Sequence, residues 1–269
     1  MIPTLQAIVL GIVQGLTEFL PVSSSGHLVL VPRLFGWHDL GLSFDVALHV
    51  GTLLALLIYF RREWVTLIKG FFTSFRVRPS DWSRYQRLAW MLVLASIPAG
   101  IAGVLIGEEH FRTPTWVAIF LLGGSLLMVA AELWGSRSRG FDELRSWDAA
   151  TVGVAQAVAL LPGISRSGIT ISTGMLDGLD REAAAHFAFL MSAPIIAGAG
   201  LWQGQKLIRH GGFGGHAGVF AAGFIASAIA GFFTIKYFLA FLRKHTLYPF
   251  VIYRVAIAML VFVVLVARS

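Results

Sequence analysis

Two stretches of the chain decide its fold, GIVQGLTEFLPVSSSGH at residues 11–27 and PGISRSGIT at residues 162–170. At each, an apolar run stops near a proline, passes through serines and a glycine, and then becomes apolar again. The broken regions cover about 1–36 and 149–177, and the part after each break is too short to cross a bilayer core of ~30 Å. Each region therefore predicts a re-entrant pair of helices with a polar turn at membrane depth. Because irregular backbone at that depth is tolerated only inside protein or beside a watery cavity, we expect function at the two turns.

The composition of the 269 residues is typical of an integral membrane protein. Hydrophobic residues make up 57% and charged residues 13%, and the mean hydropathy is +0.76. Soluble domains carry roughly 45–50% apolar and about 25% charged residues, which excludes an ordinary soluble enzyme and a disordered chain. The sequence has no cysteine, so disulfides, thiol catalysis and cysteine-ligated metals are excluded. The net charge of +7 indicates membrane orientation and not nucleic-acid binding, because Lys and Arg lie mostly between apolar runs.

Uninterrupted apolar runs predict transmembrane helices in both halves of the chain. Six are long enough, at about 42–60, 88–107, 115–134, 183–203, 217–242 and 247–267. The predicted fold class is an all-α polytopic integral membrane protein with a single membrane domain over 1–269. Three spans follow each broken pair, which divides the domain into halves at about 1–135 and 149–267.

The two halves resemble each other in sequence. Five residues recur 142 positions later, so that Gly11, Gln14, Ser23, Ser25 and Gly26 match Gly153, Gln156, Ser165, Ser167 and Gly168. The alternative is a chance match of small residues. Because three crossings is an odd number, the second half is predicted to enter the membrane upside down. Such an inverted-topology repeat predicts a site near the midplane, where the halves meet.

The distribution of Lys and Arg predicts the orientation. The side opposite the N-terminus receives 13 of these residues, seven of them within 61–87, and the N-terminal side receives 5. The positive-inside rule makes the richer side cytoplasmic. Both termini then lie outside, and the first re-entrant pair enters from outside.

The first broken region carries a carboxylate within apolar sequence. Gln14 and Glu18 are four residues apart and share one helix face. A carboxylate at membrane depth is costly, which favours a functional role. The alternative is an interior glutamate that stabilises the pair.

The turn that follows carries three serines, Ser23, Ser24 and Ser25. They either cap the returning helix or form an anion site with its N-terminal N–H groups. His27 lies in the first turn of that helix, and its position at membrane depth favours a functional role over a structural one.

The second turn places hydroxyls around a cation, with Ser165, Ser167 and Thr170 beside Arg166. The planar guanidinium suits a phosphate or a carboxylate. The alternative is a structural anchor to Glu18 or to a backbone carbonyl. Two helix N-termini and one arginine at the midplane predict an anion pocket, and a phosphate group fits it. The neighbouring Glu18 and His27 indicate chemistry in addition to binding.

Other polar residues lie within the long spans. Asp45 and His49, four residues apart, either support the site from behind or form a structural pair. Arg254 lies near the end of the last span, and we expect it to snorkel to the interface or to pair with a loop.

The stretch from Gly11 to His27 resembles the first signature of bacterial undecaprenyl-diphosphate phosphatases, the bacitracin-resistance family. Residues 162–170 resemble the second signature, Pro-Gly-x-Ser-Arg-Ser-x-x-Thr. The resemblance extends to the chain length and the pattern of spans.

The resemblance implies a phosphatase of the bacterial plasma (inner) membrane that hydrolyses undecaprenyl diphosphate to undecaprenyl phosphate and inorganic phosphate. This reaction recycles the lipid carrier for cell-wall synthesis and confers bacitracin resistance. The active site is expected to open to the outer, periplasmic face.

The resemblance also implies roles for individual residues. The central, catalytic set is Glu18, Ser24, His27 and Arg166. The phosphate-binding set is Ser23, Ser25, Ser165, Ser167 and Thr170, together with Arg166. Family members need Mg²⁺ or Ca²⁺, for which Glu18 and Gln14 are the candidate ligands. Ser24 is the nucleophile or a phosphate ligand and His27 the acid or base, or these two roles are exchanged.

The partners implied are the lipid diphosphate substrate and the bilayer, with no nucleic acid and with a homodimer left open. A type 2 phosphatidic-acid phosphatase is disfavoured, because Val77 stands where its first motif needs proline and Ser172 where its last needs histidine. A polyprenyl-phosphate flippase or an anion transporter on the same inverted-repeat scaffold is the second hypothesis. Phosphate release in detergent, without a gradient, separates the two.

Overall fold

The computed structural model describes residues 3–37, 40–105, 111, 113–209 and 216–268. The regular secondary structure within these ranges consists of eleven α-helices and short 3-10 turns, with no β-strand. The helices are α1 (Pro3–Phe19), α2 (Ser24–Phe35), α3 (Leu42–Tyr59), α4 (Arg61–Ser74), α5 (Arg84–Leu105), α6 (Pro114–Trp134), α7 (Ser146–Val158), α8 (Arg166–Leu176), α9 (Arg181–Arg209), α10 (Ala217–Leu242) and α11 (Tyr248–Arg268).

The six predicted spans are confirmed as long apolar helices. By length and composition α3, α5, α6, α9, α10 and α11 can each cross a membrane. α9 extends beyond the predicted 183–203 at both ends, and α5 begins four residues before the predicted start. Residues 106 and 107, at the end of that predicted span, lie outside the described residues. The predicted boundaries differ most from the structure at α9. The helix continues into polar residues at both ends, which a search for apolar residues leaves out.

Each broken region forms two helices joined by a short turn, α1–α2 and α7–α8. The last helix of each pair has 12 and 11 residues, about 17 Å at the rise of an α-helix, which is short of a bilayer core. Ser23 and Ser165 precede these helices with φ of 76° and 74°, a left-handed conformation that side chains rarely adopt. Their hydroxyls accept from the backbone N–H groups of Gly26 and Gly168, at 3.3 and 3.1 Å. Of the two alternatives raised for the first turn, the cap is therefore present, at Ser23, and Ser165 forms the equivalent cap in the second turn.

The two halves of the chain pack through each other's helices. α1 lies along α10 and α3, while α7 lies along α5. The contact of α1 with α10 is close, since a Cβ on Gly11 would come within 2.4 Å of the carbonyl oxygen of Gly223. Likewise a Cβ on Gly153 of α7 would lie 2.7 Å from the oxygen of Ala95 on α5. Glycines therefore allow each pair to sit deep in the opposite half. Against this arrangement packs α9, whose Phe187 and Leu190 are fully buried.

Candidate active site

Glu18 is the centre of a cluster of buried polar groups. It lies at the end of α1 and is 4% exposed. Its Oε2 accepts from Gln14 Nε2 at 2.8 Å and from Ser24 Oγ at 2.6 Å, and His49 Nε2 lies 3.5 Å away. Its Oε1 accepts from the guanidinium of Arg166. One buried carboxylate thus joins both turns and the first long span.

Local structure explains why these groups meet. Gln14 and Glu18 are one helical turn apart on α1. Ser24 and Arg166 are the first residues of α2 and α8, and so they hold the same position in the two turns. The anchor between Arg166 and Glu18, one of the two alternatives raised for this arginine, is present. In this state the carboxylate neutralises the cation that the anion-pocket hypothesis assigns to a phosphate.

A small cavity lies against this pair. Its volume is ≈ 10 Å³, which is about the space of one water molecule. The lining residues are Glu18, Phe19, Arg166, Ser167, Thr170, Ala188, Phe189 and Ser192. Three of them come from α9, which carries neither motif. Ser192 was missed by the sequence analysis, and the one available signal was a hydroxyl two residues before Pro194 in an apolar helix.

The predicted phosphate-binding hydroxyls mostly hold the turns together. Ser23 Oγ accepts from Gly163 N at 3.1 Å in addition to its cap, which bonds one turn to the other. Ser25 Oγ lies 3.4 Å from Ser23 Oγ. Ser167 Oγ lies 3.2 Å from Ser165 Oγ and donates to the Leu20 carbonyl at 2.9 Å. Thr170 Oγ1 donates to the Arg166 carbonyl at 2.7 Å. Ser24 is the hydroxyl of this group that donates to Glu18.

His27 bonds to a different helix from the rest of the catalytic set. Its Nδ1 lies 2.7 Å from the Ser23 carbonyl and its Nε2 2.7 Å from the Tyr253 hydroxyl, and the two rings stack at 5.7 Å. Since a carbonyl only accepts, Nδ1 carries the proton in the neutral ring and Nε2 accepts from the phenol. The structure therefore joins Glu18, Ser24 and Arg166 directly, and places His27 beside Tyr253, a residue that the sequence analysis missed.

Arg254 is fully buried, so the expectation that it snorkels to the interface is wrong, and the other alternative raised for it, pairing with a loop, is present. Its guanidinium donates to the carbonyls of Pro21 at 3.2 Å, Gly163 at 3.1 Å and Ile164 at 3.0 Å. It also donates to Ser125 Oγ at 3.0 Å. The carbonyls of an irregular turn have no helical donor, and a guanidinium with five N–H groups can supply several at once. The available signal was an arginine next to a tyrosine inside an apolar run.

His49 lies against Glu18 and bonds to the main chain of Asp45, so both alternatives raised for these two residues, support of the site and a structural pair, stay open. His49 Nδ1 is 2.8 Å from the backbone carbonyl of Asp45, which orients Nε2 toward the carboxylate. Asp45 therefore acts on this ring through its main chain.

The fit of a divalent cation depends on oxygen atoms near Glu18. Within the described ranges no group of three or more His, Asp or Glu side chains could hold a metal ion. Gln14 Oε1 is buried and has no hydrogen-bond partner in the structure, although its amide nitrogen bonds to Glu18. Mg²⁺ and Ca²⁺ need six or more oxygen ligands. Gln14 and Glu18 therefore fit a cation that takes most of its ligands from a phosphorylated substrate and water.

Charged groups link the start of α7 to the end of α8, at the end of the second helix pair away from its turn. Arg139 donates to both carboxylate oxygens of Asp148, at 2.9 and 2.7 Å, and this bond raises the pKa of the guanidinium. Thr151 donates to the carboxylate of Asp177, just past α8. Burial raises the pKa of the Asp177 carboxyl. These contacts fix the ends of α7 and α8 relative to each other.

Comparison with known proteins gives a consistent result. The family model described as "Bacitracin resistance protein BacA" matches residues 7–260. A protein from Trichlorobacter lovleyi is 46% identical over 256 residues, which cover 94% of this chain and 93% of the relative. One from Rubrobacter xylanophilus is 47% identical over 268 residues, or 97% of this chain and 98% of the relative. One from Geobacter sulfurreducens is 43% identical over 268 residues, or 98% and 99%. All three are named undecaprenyl-diphosphatase.

Proposed function

Because the chain belongs to the bacitracin resistance protein BacA family, we propose that it is an undecaprenyl-diphosphatase. It is an integral membrane enzyme that hydrolyses undecaprenyl diphosphate to undecaprenyl phosphate and inorganic phosphate. The products return the lipid carrier to cell-wall synthesis, and this recycling counters bacitracin. The observation that carries the proposal is the convergence of Ser24, Glu18 and Arg166 from two separate motifs.

Binding begins with an exchange of partners at Arg166. The diphosphate displaces the Glu18 carboxylate from the guanidinium, because two oxygens of a phosphate group can accept from the planar guanidinium as a carboxylate does, and the diphosphate carries more negative charge. The N-terminal N–H groups of α2 and α8 add donors on either side. Ser192, across the cavity, supplies a further hydroxyl to the bound phosphate.

Glu18, once released from Arg166, is the base for Ser24. The hydroxyl already donates to Oε2 at 2.6 Å, so its proton passes to the carboxylate as Oγ attacks the terminal phosphorus. Undecaprenyl phosphate leaves, and water then hydrolyses the phosphoserine. Arg166 and the helix N-termini stabilise the charge on the transferring phosphoryl group. Geometry favours this assignment over the exchanged one, because His27 Nε2 faces Tyr253.

His27 is the acid or base at the edge of the site. Its Nε2 exchanges a proton with the hydroxyl of Tyr253, a residue that is 41% exposed. A divalent cation, Mg²⁺ or Ca²⁺, would be held by Glu18 and Gln14 together with phosphate oxygens. When bound, the cation would neutralise part of the negative charge of the diphosphate.

The architecture we propose is two inverted repeats, each a re-entrant pair followed by three spans. The matched dihedral angles of Ser23 and Ser165 support it, as does the packing of each pair into the opposite half. The excess of 13 Lys and Arg over 5 supports an orientation with both termini outside, and we place the protein in the inner membrane with its site open to the periplasm. A homodimer stays a prediction.

The test is phosphate release from undecaprenyl diphosphate by the purified protein in detergent. Wild type should release phosphate without a gradient, and Glu18→Gln and Arg166→Ala should each abolish most of the activity. Glu143→Gln makes the same chemical change in an exposed loop and should have no effect. Each protein is assayed with and without chelator, and loss of activity with chelator supports the cation. If folded wild type supplied with Mg²⁺ or Ca²⁺ releases no phosphate, a flippase or transporter becomes the leading hypothesis.

A further inference from the structure

Helix α4, which the sequence analysis did not predict, presents three distinct faces. One face packs on the protein: Leu67 is 2% exposed, and a Cβ on Gly70 would lie 3.1 Å from the Tyr85 carbonyl of α5. Glu63 Oε2, at the start of the helix, bonds to His186 Nε2 of α9 at 2.7 Å. α4 is therefore fixed against the transmembrane helices, and its other two faces point outward.

The second face is apolar and uncovered. Its residues recur at helical spacing and are 53–66% exposed, namely Val65, Ile68, Phe72 and Phe75. Four large apolar side chains in one row on a helix that does not itself cross the membrane are typical of a helix lying in the bilayer interface.

The third face is basic and lies beside the apolar row. Arg62 and Lys69 are seven residues apart and share one side of the helix, and Arg76, seven residues further on, stands in the turn just after Ser74; these three residues form the basic line. All three are exposed, and within the described part of the chain their charged groups have no carboxylate partner. Around the helix, the packed face contacts the protein, the apolar face is suited to lipid acyl chains, and the basic line is suited to lipid headgroups.

We propose that α4 is an anionic-phospholipid binding site, with the apolar row in the acyl region and Arg62, Lys69 and Arg76 on the phosphate headgroups. Charge complementarity favours anionic over zwitterionic lipid, since each cation near an anionic surface contributes binding. An acidic soluble protein is disfavoured as the binding partner. The apolar row next to the basic line needs a partner that offers both acyl chains and anionic groups. The proposal does not depend on the chemistry at Glu18.

The experiment is a thermal-unfolding titration of the full-length protein in neutral detergent with phosphatidylglycerol or phosphatidylcholine. For wild type, phosphatidylglycerol should raise Tm more than phosphatidylcholine, and 1 M salt should remove the difference. In the triple variant Arg62→Gln/Lys69→Gln/Arg76→Gln, the phosphatidylglycerol concentration at half-maximal shift should rise about 100-fold, since each cation contributes about five-fold. Native mass spectrometry should show fewer retained phosphatidylglycerol molecules.

A matched control removes the same charge elsewhere. Arg87→Gln/Arg145→Gln/Lys244→Gln neutralises three exposed cations away from the line on α4, and it should change the half-maximal concentration by less than about three-fold. Equal stabilisation of wild type by both lipids would overturn the proposal, and so would equal losses in the two triple variants. Phosphate release by both variants in neutral detergent should match wild type, which separates this test from that of the proposed function.

Discussion

The two helix pairs share a scaffold but differ in chemistry. Both turns have a serine at positive φ that caps the second helix, and both pack through a glycine of their first helix. At the position of Glu18 in the first pair, the second has Leu160, 142 residues later. At the position of Arg166 in the second pair, the first has Ser24. One pair thus supplies the carboxylate and hydroxyl and the other the cation, so neither pair forms the site alone.

The largest loss of activity is expected from changing Glu18 and Arg166, the residues that the two helix pairs contribute to the ion pair. Glu18→Gln and Arg166→Gln should each lower kcat/KM by about 10³-fold, and the double variant should lose little more, because the two groups act as one unit. Leu160→Gln places an amide at the equivalent position of the second pair and should keep most of the activity. Steady-state phosphate release measures all four proteins. Losses that multiply in the double variant would show that the two turns contribute independently.

Arg254 tests whether the two turns depend on one shared donor. Arg254→Met removes the donor of buried carbonyls in both turns, so the free energy of unfolding should fall by about 3–5 kcal/mol. Arg254→Lys should not rescue it, because an ammonium has three donors and no planar fork. Thermal unfolding is the measurement, with exposed Arg243→Met as the control. A lysine variant as stable as wild type would mean that charge, and not the set of carbonyl bonds, is what matters.

Tyr253 tests a feature that only the first pair has. Tyr253→Phe keeps the stacked ring but removes the hydroxyl from His27 Nε2, and kcat should fall about ten-fold with KM nearly unchanged. Tyr237→Phe, at a position of α10 that is 62% exposed, is the control for the same change. An unaltered kcat would show that His27 does not exchange its proton through the Tyr253 hydroxyl.

The capping serines should differ in how much stability they provide. Ser23→Ala and Ser165→Ala each lose a cap worth about 1 kcal/mol. Ser23→Ala also leaves the Gly163 N–H without its acceptor, which costs about 1–3 kcal/mol more. Thermal unfolding of the two variants should therefore give the larger drop for Ser23→Ala, and equal drops would argue against the bond between the turns.

The smallest expected effect lies at the base of the second pair. Burial raises the pKa of the Asp177 carboxyl above its ordinary value of 3.8. A raised pKa favours the protonated folded state, so its contribution to stability is present below pH 3.8 and is lost as the pH rises through the folded pKa. Asp177→Asn should therefore raise Tm slightly at pH 7, with a gain that shrinks toward pH 3.8. Asp81→Asn, in an exposed turn, is the control, and a gain that did not depend on pH would exclude the carboxyl as its cause.

Much of the fold could be predicted because its signals are local. The length of an apolar run identifies a span, and serines directly after a break in such a run indicate a capped helix start, as at Ser23. The prediction missed α4 because a search for long apolar runs passes over an amphipathic helix with charged residues on one side.

The site could be predicted only as far as its motifs extend. Gln14, Glu18 and Ser24 are close in sequence, and the motif of Arg166 has an obvious partner in a buried carboxylate. Tyr253, Arg254 and Ser192 come from helices far along the chain, and their proximity depends on how whole helices cross. The position of Arg254 near a span end suggested an interfacial side chain, whereas the unpaired carbonyls of the turns determine where it lies.

The packing of α1 on α10 also sets an order of events during synthesis. α1 is made first, yet the surface that receives it is completed about 200 residues later. At about 5–20 residues per second, the ribosome needs some 10–40 s to supply that surface. Until then Gly11 and Gly15 have no α10 to approach, although Arg166, the partner of Glu18, has already been made. A chain that stops before residue 217 therefore has both motifs but lacks the helix that covers most of α1, so catalytic competence arrives with the last fifth of the polypeptide.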